Sequence, residues 1–283
     1  MNIIQSIFDT YGSAILFIIF VLFFILESKY QLRKRVQSRW KRILINFSVS
    51  IPAFALLRLL FIPVMVWLAY GNEKWQFGLN YLYAAPAWFE ACIAFLLLDY
   101  SNYLWHIILH KIPLLWRFHL VHHTDLNLDI TTAFRFHFGE LIGSVFFRGA
   151  AVMLIGVSPL MVLLYEIAFD ASNQFQHSNI KIPFRLEKIF NKILVTPRMH
   201  GIHHSIKKRE TDSNFSIIFS FWDRLHHTIR LNVRQDEIIT GVPAYQDEKE
   251  LTTWNLLKLP FTKIQKWVER TTTEEGNKNE LSK

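Results

Sequence analysis

"ILINFSVSIPAFALLRLLFIPVMVWLAY", residues 43–70, carries a single charged side chain, Arg58. At about 1.5 Å of rise per residue, a helix of this length exceeds the roughly 30 Å hydrocarbon core of a bilayer. A stretch apolar on every side has no solvent face, so it belongs in a membrane or a large core. Read as a span, it fixes how its neighbours are read. Upstream lies "YGSAILFIIFVLFFIL" (11–26), a second apolar run. It has no basic leader and no small-residue cleavage site, which predicts a retained span rather than a signal peptide. Between the two runs, "ESKYQLRKRVQSRWKR" (27–42) holds seven Lys/Arg against one Glu. By the positive-inside rule this loop is cytoplasmic and the N-terminus lies outside.

Downstream, "GNEKWQFGLN" (71–80) is an outer turn and "YLYAAPAWFEACIAFLLLDY" (81–100) returns. Arg58 and Glu90 fall at similar depth in their spans. Because lone charges there are costly, they are expected either to pair or to snorkel toward the interface. "LIGSVFFRGAAVMLIGVSPLMVLLYEIAFDA" (141–171) breaks at Gly156–Pro159 and reads as a helical hairpin that dips in and returns. No long apolar run follows Gln176, so 177–283 is expected on the cytoplasmic face. There, "TTWNLLKLPFTKIQKWVER" (252–270) reads equally as an interfacial stripe or a plain surface helix. The last dozen residues are polar and read as disordered. The expected fold is an all-α integral membrane protein. It has about four membrane-embedded helical elements, two to three full spans plus a hairpin, capped by a cytosolic histidine-rich helical domain. The expected division is 1–96 transmembrane, 97–230 catalytic and 231–283 tail.

The net charge of +8 fits nucleic acid in a soluble protein. Here the basic residues flank spans, so no nucleic-acid partner is expected. Cys92 is the one cysteine, which excludes an intramolecular disulfide and any CxxC motif. A metal would therefore be held by histidine or carboxylate.

All twelve histidines lie between residues 106 and 227. "WHIILH" supplies His106 and His110. "WRFHLVHH" supplies His119, His122 and His123, and "HGIHH" repeats that triplet as His200, His203 and His204. On a helix, positions i, i+3 and i+4 share a face, so each cluster aims its imidazoles one way. Histidine has no reason to cluster for packing. One zinc takes four ligands, and eight clustered histidines suit two metals instead. HExxH and the Glu-x-x-His pair of soluble di-iron bundles are absent. Imidazole suits iron, zinc and copper alike, so ligand type alone does not choose the metal.

These segments resemble the fatty acid hydroxylase/sterol desaturase superfamily of membrane-bound non-haem di-iron enzymes. The resemblance covers roughly residues 95–230. It rests on "DYSNYLWHIILHKIPLLWRFHLVHHTD", "TTAFRFHFGE", "NQFQHSN", "TPRMHGIHHS", "DSNF" and "FWDRL", in the family's order and approximate spacing. It implies O2-dependent attack on an unactivated C–H bond of a lipid by two iron ions, giving hydroxylation or desaturation. It further implies His106, His110, His119, His122, His123, His200, His203 and His204 as metal ligands, and His177 as a further one. His137 matches a family histidine whose following proline is here Phe138; ligand and structural roles both stay open for it. Asn173, four residues before His177, is placed to reach a metal directly or through water. His226 and His227 lack family support and read as surface or structural. Ile107 stands where the family's first box often has arginine.

Asp99, Asp125, Asp129, Glu140, Asp170 and Asp212 are candidates to fix the histidine tautomers, structural salt bridges being the competing explanation. No dinucleotide fingerprint, P-loop or cysteine framework is present. Electrons are therefore expected from an external ferredoxin or b-type cytochrome. The loop at 29–42 or "IKKR" (206–209) would receive it, though positive-inside charge alone explains the loop. The hairpin is expected to wall the substrate, and Arg148 within it reads as a headgroup contact or a snorkelling charge. The site is expected on the cytoplasmic face, in a bacterial inner membrane rather than the endoplasmic reticulum. The competing classes are a membrane zinc hydrolase and a non-oxygenase metal-binding membrane protein such as a transporter.

Overall fold

A computed structural model describes residues 11–268. The expectations for 1–10 and for the polar C-terminal dozen lie outside the described residues. Helix α1 (Ser13–Lys29) is followed by α2 (Arg39–Leu56), which continues through a π turn at Leu57–Phe61 into α3 (Ile62–Trp75). Then come α4 (Ala87–Lys111), α5 (Pro113–His123), α6 (Phe138–Ile155), α7 (Pro159–His177), α8 (Phe184–Phe190) and α9 (Pro197–His203). Three short helices follow, the last being α12 (Thr253–Lys258). Among the described residues there are only isolated β-bridges and no strand.

Among the described residues, three helices are long and apolar enough to cross a membrane: Arg39–Tyr81, Ala87–Lys111 and Phe138–Ile155. Their outward faces carry large exposed apolar side chains, among them Leu59, Trp67, Trp88, Phe146 and Leu154. Apolar surface on this scale is what a lipid-facing wall requires. Their inward faces meet in one core of Phe61, Met65, Ala69, Leu98, Val152 and Tyr165. The hairpin is deeper than its sequence indicates, because α6 and α7 have 18 and 19 residues. Its turn closes at Gly156, which takes the left-handed conformation (φ 78°) that glycine tolerates best.

The expected Arg58–Glu90 pair is not formed. The buried ion pair among these helices joins Arg148 to Glu166, across the hairpin. Hydropathy gives depth but not rotation about the helix axis, and depth alone does not select a partner.

Three charged residues of the basic loop 27–42, Glu27, Arg33 and Arg42, are buried, while most of the loop is exposed. Glu27, fully buried, accepts from Arg39 at 2.6 Å and from the backbone N–H groups of Ile130 and Asn179. Arg42 grips both carboxylate oxygens of Asp125, at 2.9 and 2.7 Å, and also binds Asp129. Arg33 reaches the carbonyl of Pro197 and the side chain of Gln235. These arginines therefore anchor the ends of α1 and α2 to the histidine-bearing segments. The C-terminal stripe behaves the same way. Leu256 joins a core with Val49, Leu120 and Val121, and Trp267 Nε1 donates to the Ile206 carbonyl.

Candidate metal centre

The ends of α4 and α7, with α5 and α9, bring nine histidines together, all of them buried. They form two adjoining groups: His106, His110, His119, His123 and His203 in one, His122, His177, His200 and His204 in the other. Within each group the candidate ligand atoms lie within 4.8 Å of one another. Helical spacing explains the convergence. The triplets on α5 and α9 send their first and last members to opposite groups: His119 and His123 to one with His203, His200 and His204 to the other with His122.

The ring orientations are set from behind. Nδ1 of His106 donates to the Phe215 carbonyl (2.8 Å), that of His122 to Arg135 (3.0 Å), that of His177 to Asn173 (2.7 Å) and that of His203 to Ser213 (2.7 Å). A carbonyl only accepts, so in these four rings Nδ1 carries the proton and Nε2 is bare. His119 Nδ1 faces Glu140 Oε2 at 3.1 Å. Nε2 atoms then meet across the centre: His122–His177 at 3.0 Å, His177–His200 at 2.9 Å, and His119–His123 and His200–His204 at 3.2 Å. Between His122 and His177 no proton is left to share. Two lone pairs face each other at 3.0 Å, which is repulsive unless a cation lies between them.

A metal fits this arrangement. Two imidazole nitrogens about 2.1 Å from one ion and at right angles to each other sit about 3.0 Å apart. Polar atoms left over in the same place agree: both ring nitrogens of His110 and Nε2 of His203 are buried without a partner. Burial first, and neighbouring imidazoles second, hold His122, His123, His200 and His204 well below the ordinary histidine range. Burial alone takes His119 down to about 3. The rings are neutral, the state in which imidazole binds metal.

Two of the six candidate carboxylates adjoin a histidine. These are Glu140, and Asp212, whose Oδ1 lies 3.7 Å from His110 Nδ1. Asp99 instead accepts from Trp222, Tyr165 and the Ile218 and Phe219 backbones. Asp125 and Asp129 hold Arg42. Burial alone would raise Asp125, but the Arg42 and Arg135 guanidiniums reverse this and hold it well below the carboxylate range. Asp170 lines a cavity beside the histidines. The carbonyls that orient four of the rings leave no mark in the sequence.

His137 is not brought into either group. Its Nδ1 caps α6 by accepting from the Gly139 N–H, and its Nε2 donates to the Leu257 carbonyl. Both nitrogens are thus committed to structure. His226 stacks on Tyr100 and Tyr103, and His227 has a left-handed backbone (φ 57°). Trp116 packs on His110 and His123, and Arg117 holds the Pro260 and Thr262 carbonyls, bracing α5. The amide of Asn173 donates to the Ala133 carbonyl at the cavity edge.

That cavity reaches His106, His119, His122, His177 and His200 from the membrane side. Apolar side chains such as Phe54, Leu57, Leu109, Phe134 and Phe169 line much of it. The hairpin supplies a large part of its wall, as its position in the sequence implied.

The molecule is thus a helical membrane protein with a doubled histidine cage at the mouth of an apolar cavity. Residues 91–228 match the family model described as Fatty acid hydroxylase, and this part of the chain is similar to that family. Cholesterol 25-hydroxylase of Rattus norvegicus is 26% identical over 167 residues, 58% of this chain and 54% of its own length. Alkylglycerol monooxygenase of Danio rerio is 29% identical over 192 residues, 67% of this chain and 40% of its own. An ornithine lipid hydroxylase of Rhizobium tropici is 28% identical over 159 residues, 56% of this chain and 46% of its own. The chain spans about half the length of the curated relatives it matches. No solved structure matches it significantly.

Proposed function

We propose that this protein is a membrane-bound, O2-dependent, iron-containing oxidoreductase that hydroxylates or desaturates an aliphatic carbon of a lipid. The observation that carries the reading is the His122–His177 contact, two bare nitrogens 3.0 Å apart in a buried, neutral, all-imidazole set. His106, His110, His119, His123 and His203 would hold one iron, and His122, His177, His200 and His204 the other. The hydroxylase and monooxygenase relatives support an O2-activating metal rather than zinc, and iron is the metal that the family resemblance implies. Bound iron would supply the activation of O2 needed to break an unactivated C–H bond. Hydroxylation balances as one C–H, O2, two electrons and two protons giving one C–OH and water.

The chain's own residues do the rest. The carbonyls of Phe215, Arg135, Asn173 and Ser213 fix the ring tautomers. The cavity admits an apolar segment up to the cage and leaves little room for bulk water around the reacting carbon. The electrons come from a separate ferredoxin or b-type cytochrome. The cage faces the cytoplasm, with the chain seated in a bacterial inner membrane.

The test is metal analysis of purified protein together with lipid profiles of cells with and without the gene. Two irons per chain and an O2-dependent gain of one oxygen or loss of two hydrogens are expected. One zinc per chain with O2-independent turnover would return the reading to a hydrolase.

A further inference from the structure

The cavity wall also carries charge away from the histidines. Arg148 on α6 and Glu166 and Asp170 on α7 all line it. Arg148 Nη2 donates to Glu166 Oε1, and its guanidinium lies over the rings of Phe61 and Phe169, at 4.7 and 4.9 Å from their centroids. Held by this pair and these rings, Glu166 is satisfied. Asp170, one turn further on the same face of α7, takes no hydrogen bond or ion pair from the described residues. One more turn on is Gln174, only 2% exposed, whose Oε1 has no partner. Gln176 is fully buried and neither of its amide atoms is partnered. All line the same cavity.

Buried polar atoms without partners are costly, and an occupant with only methylene groups leaves them so. Acceptors dominate here: the half-buried carboxylate of Asp170 faces the cavity, and the Gln174 and Gln176 oxygens are buried without a partner. Two carboxyl groups face one guanidinium here, an acceptor-rich wall that disfavours a carboxylate or phosphate. A buried ammonium would itself carry a heavy desolvation cost at this depth. A neutral hydroxyl donates one hydrogen and meets neither penalty. Asp170 is seven positions and Gln174 three positions before His177, so the acceptors lie about 10 and 4.5 Å along α7 from the cage.

We propose that Asp170 and Gln174, backed by the Arg148–Glu166 pair, form a subsite for the hydroxyl end of an otherwise apolar lipid whose remote carbons reach the histidines. This rests on the lipid-oxidising reading above and narrows its substrate to a neutral alcohol.

The experiment is equilibrium binding of radiolabelled hexadecanol, hexadecyl methyl ether and hexadecanoate to the full chain in nanodiscs, corrected against empty nanodiscs. Protein as purified is used without O2 and without an electron donor, so the result is independent of turnover. Failure of O2-dependent chemistry would sink the oxidase reading and leave this result standing. Hexadecanol is expected to bind roughly tenfold or more tightly than the ether, which cannot donate, with hexadecanoate weakest. Asp170→Leu should bind alcohol and ether alike while keeping its affinity for the ether. Asp170→Asn, which keeps an accepting oxygen, should retain the alcohol preference and lose part of the discrimination against hexadecanoate. It carries the test if Asp170→Leu does not fold. Equal binding of alcohol and ether by the unaltered protein, or an undiminished alcohol preference in Asp170→Leu, overturns the proposal.

Discussion

Nε2 of His122 and Nε2 of His177 lie 3.0 Å apart, while each ring gives its Nδ1 proton to a backbone carbonyl. The two residues are 55 positions apart in the sequence. The contact makes sense only with a cation between the rings. Replacing either by alanine should therefore cost metal. His122→Ala and His177→Ala are expected to lose at least one of two bound metals per chain, measured by elemental analysis of purified protein. His226→Ala and His137→Ala should keep both. Full metal content in His177→Ala would remove it from the ligand set.

Glu140 faces His119 Nδ1 from 3.1 Å and has no place in either histidine group. Its effect on a metal would pass through the ring it orients. Groups in this position typically change metal affinity by about 10–100-fold. Glu140→Ala should weaken metal binding in that range, read by competition with a chelator of known affinity. Glu140→Gln keeps an accepting oxygen and should fall between the two. Equal losses in both variants would point to charge rather than orientation.

The clusters and their partition among membrane helices were legible because each signal is local. A run of apolar residues reports a span, and His119, His122 and His123 share a helical face whatever surrounds them. The carbonyls of Phe215 and Ser213 were not legible, since any residue offers a carbonyl and only the fold aims it. His137 shows the converse. It sits in a family-like stretch, yet its two nitrogens cap α6 and hold Leu257, contacts that depend on where the tail folds back. The anchoring role of Arg33, Arg39 and Arg42 was not legible for a related reason. Positive-inside charge and internal anchoring draw on the same residues, and composition cannot separate them.

Arg42 and Asp125 form a doubly hydrogen-bonded pair, both buried, joining the start of α2 to the segment after α5. Removing one partner leaves a buried charge uncompensated, at a cost of about 3–5 kcal/mol. Asp125→Leu should therefore lower thermal stability sharply in detergent. Arg42→Met together with Asp125→Leu should recover part of the loss, since the two charges of the pair leave together. Asp129 also binds Arg42, so the recovery should be incomplete. A double variant no better than the worse single one would show that the charges act independently.

Gly201, inside the "HGIHH" triplet, is set by a different constraint. A Cβ at this position would lie 2.1 Å from Arg33 Nη1. Arg33 is itself buried, with that same nitrogen bound to the Pro197 carbonyl and to Gln235. The side chain cannot swing aside without abandoning both partners on or beside α9, the helix that carries His200 and His203. Gly201→Ala should destabilise the protein by about 1–3 kcal/mol, as overpacking in a filled interior does. Arg33→Ala should remove the clash at the expense of its hydrogen bonds. Combining the two should then cost less than the sum of the single losses, the signature of residues in contact. Thermal unfolding of the four proteins gives the coupling directly. Strict additivity would mean that the constraint on Gly201 comes from something other than Arg33.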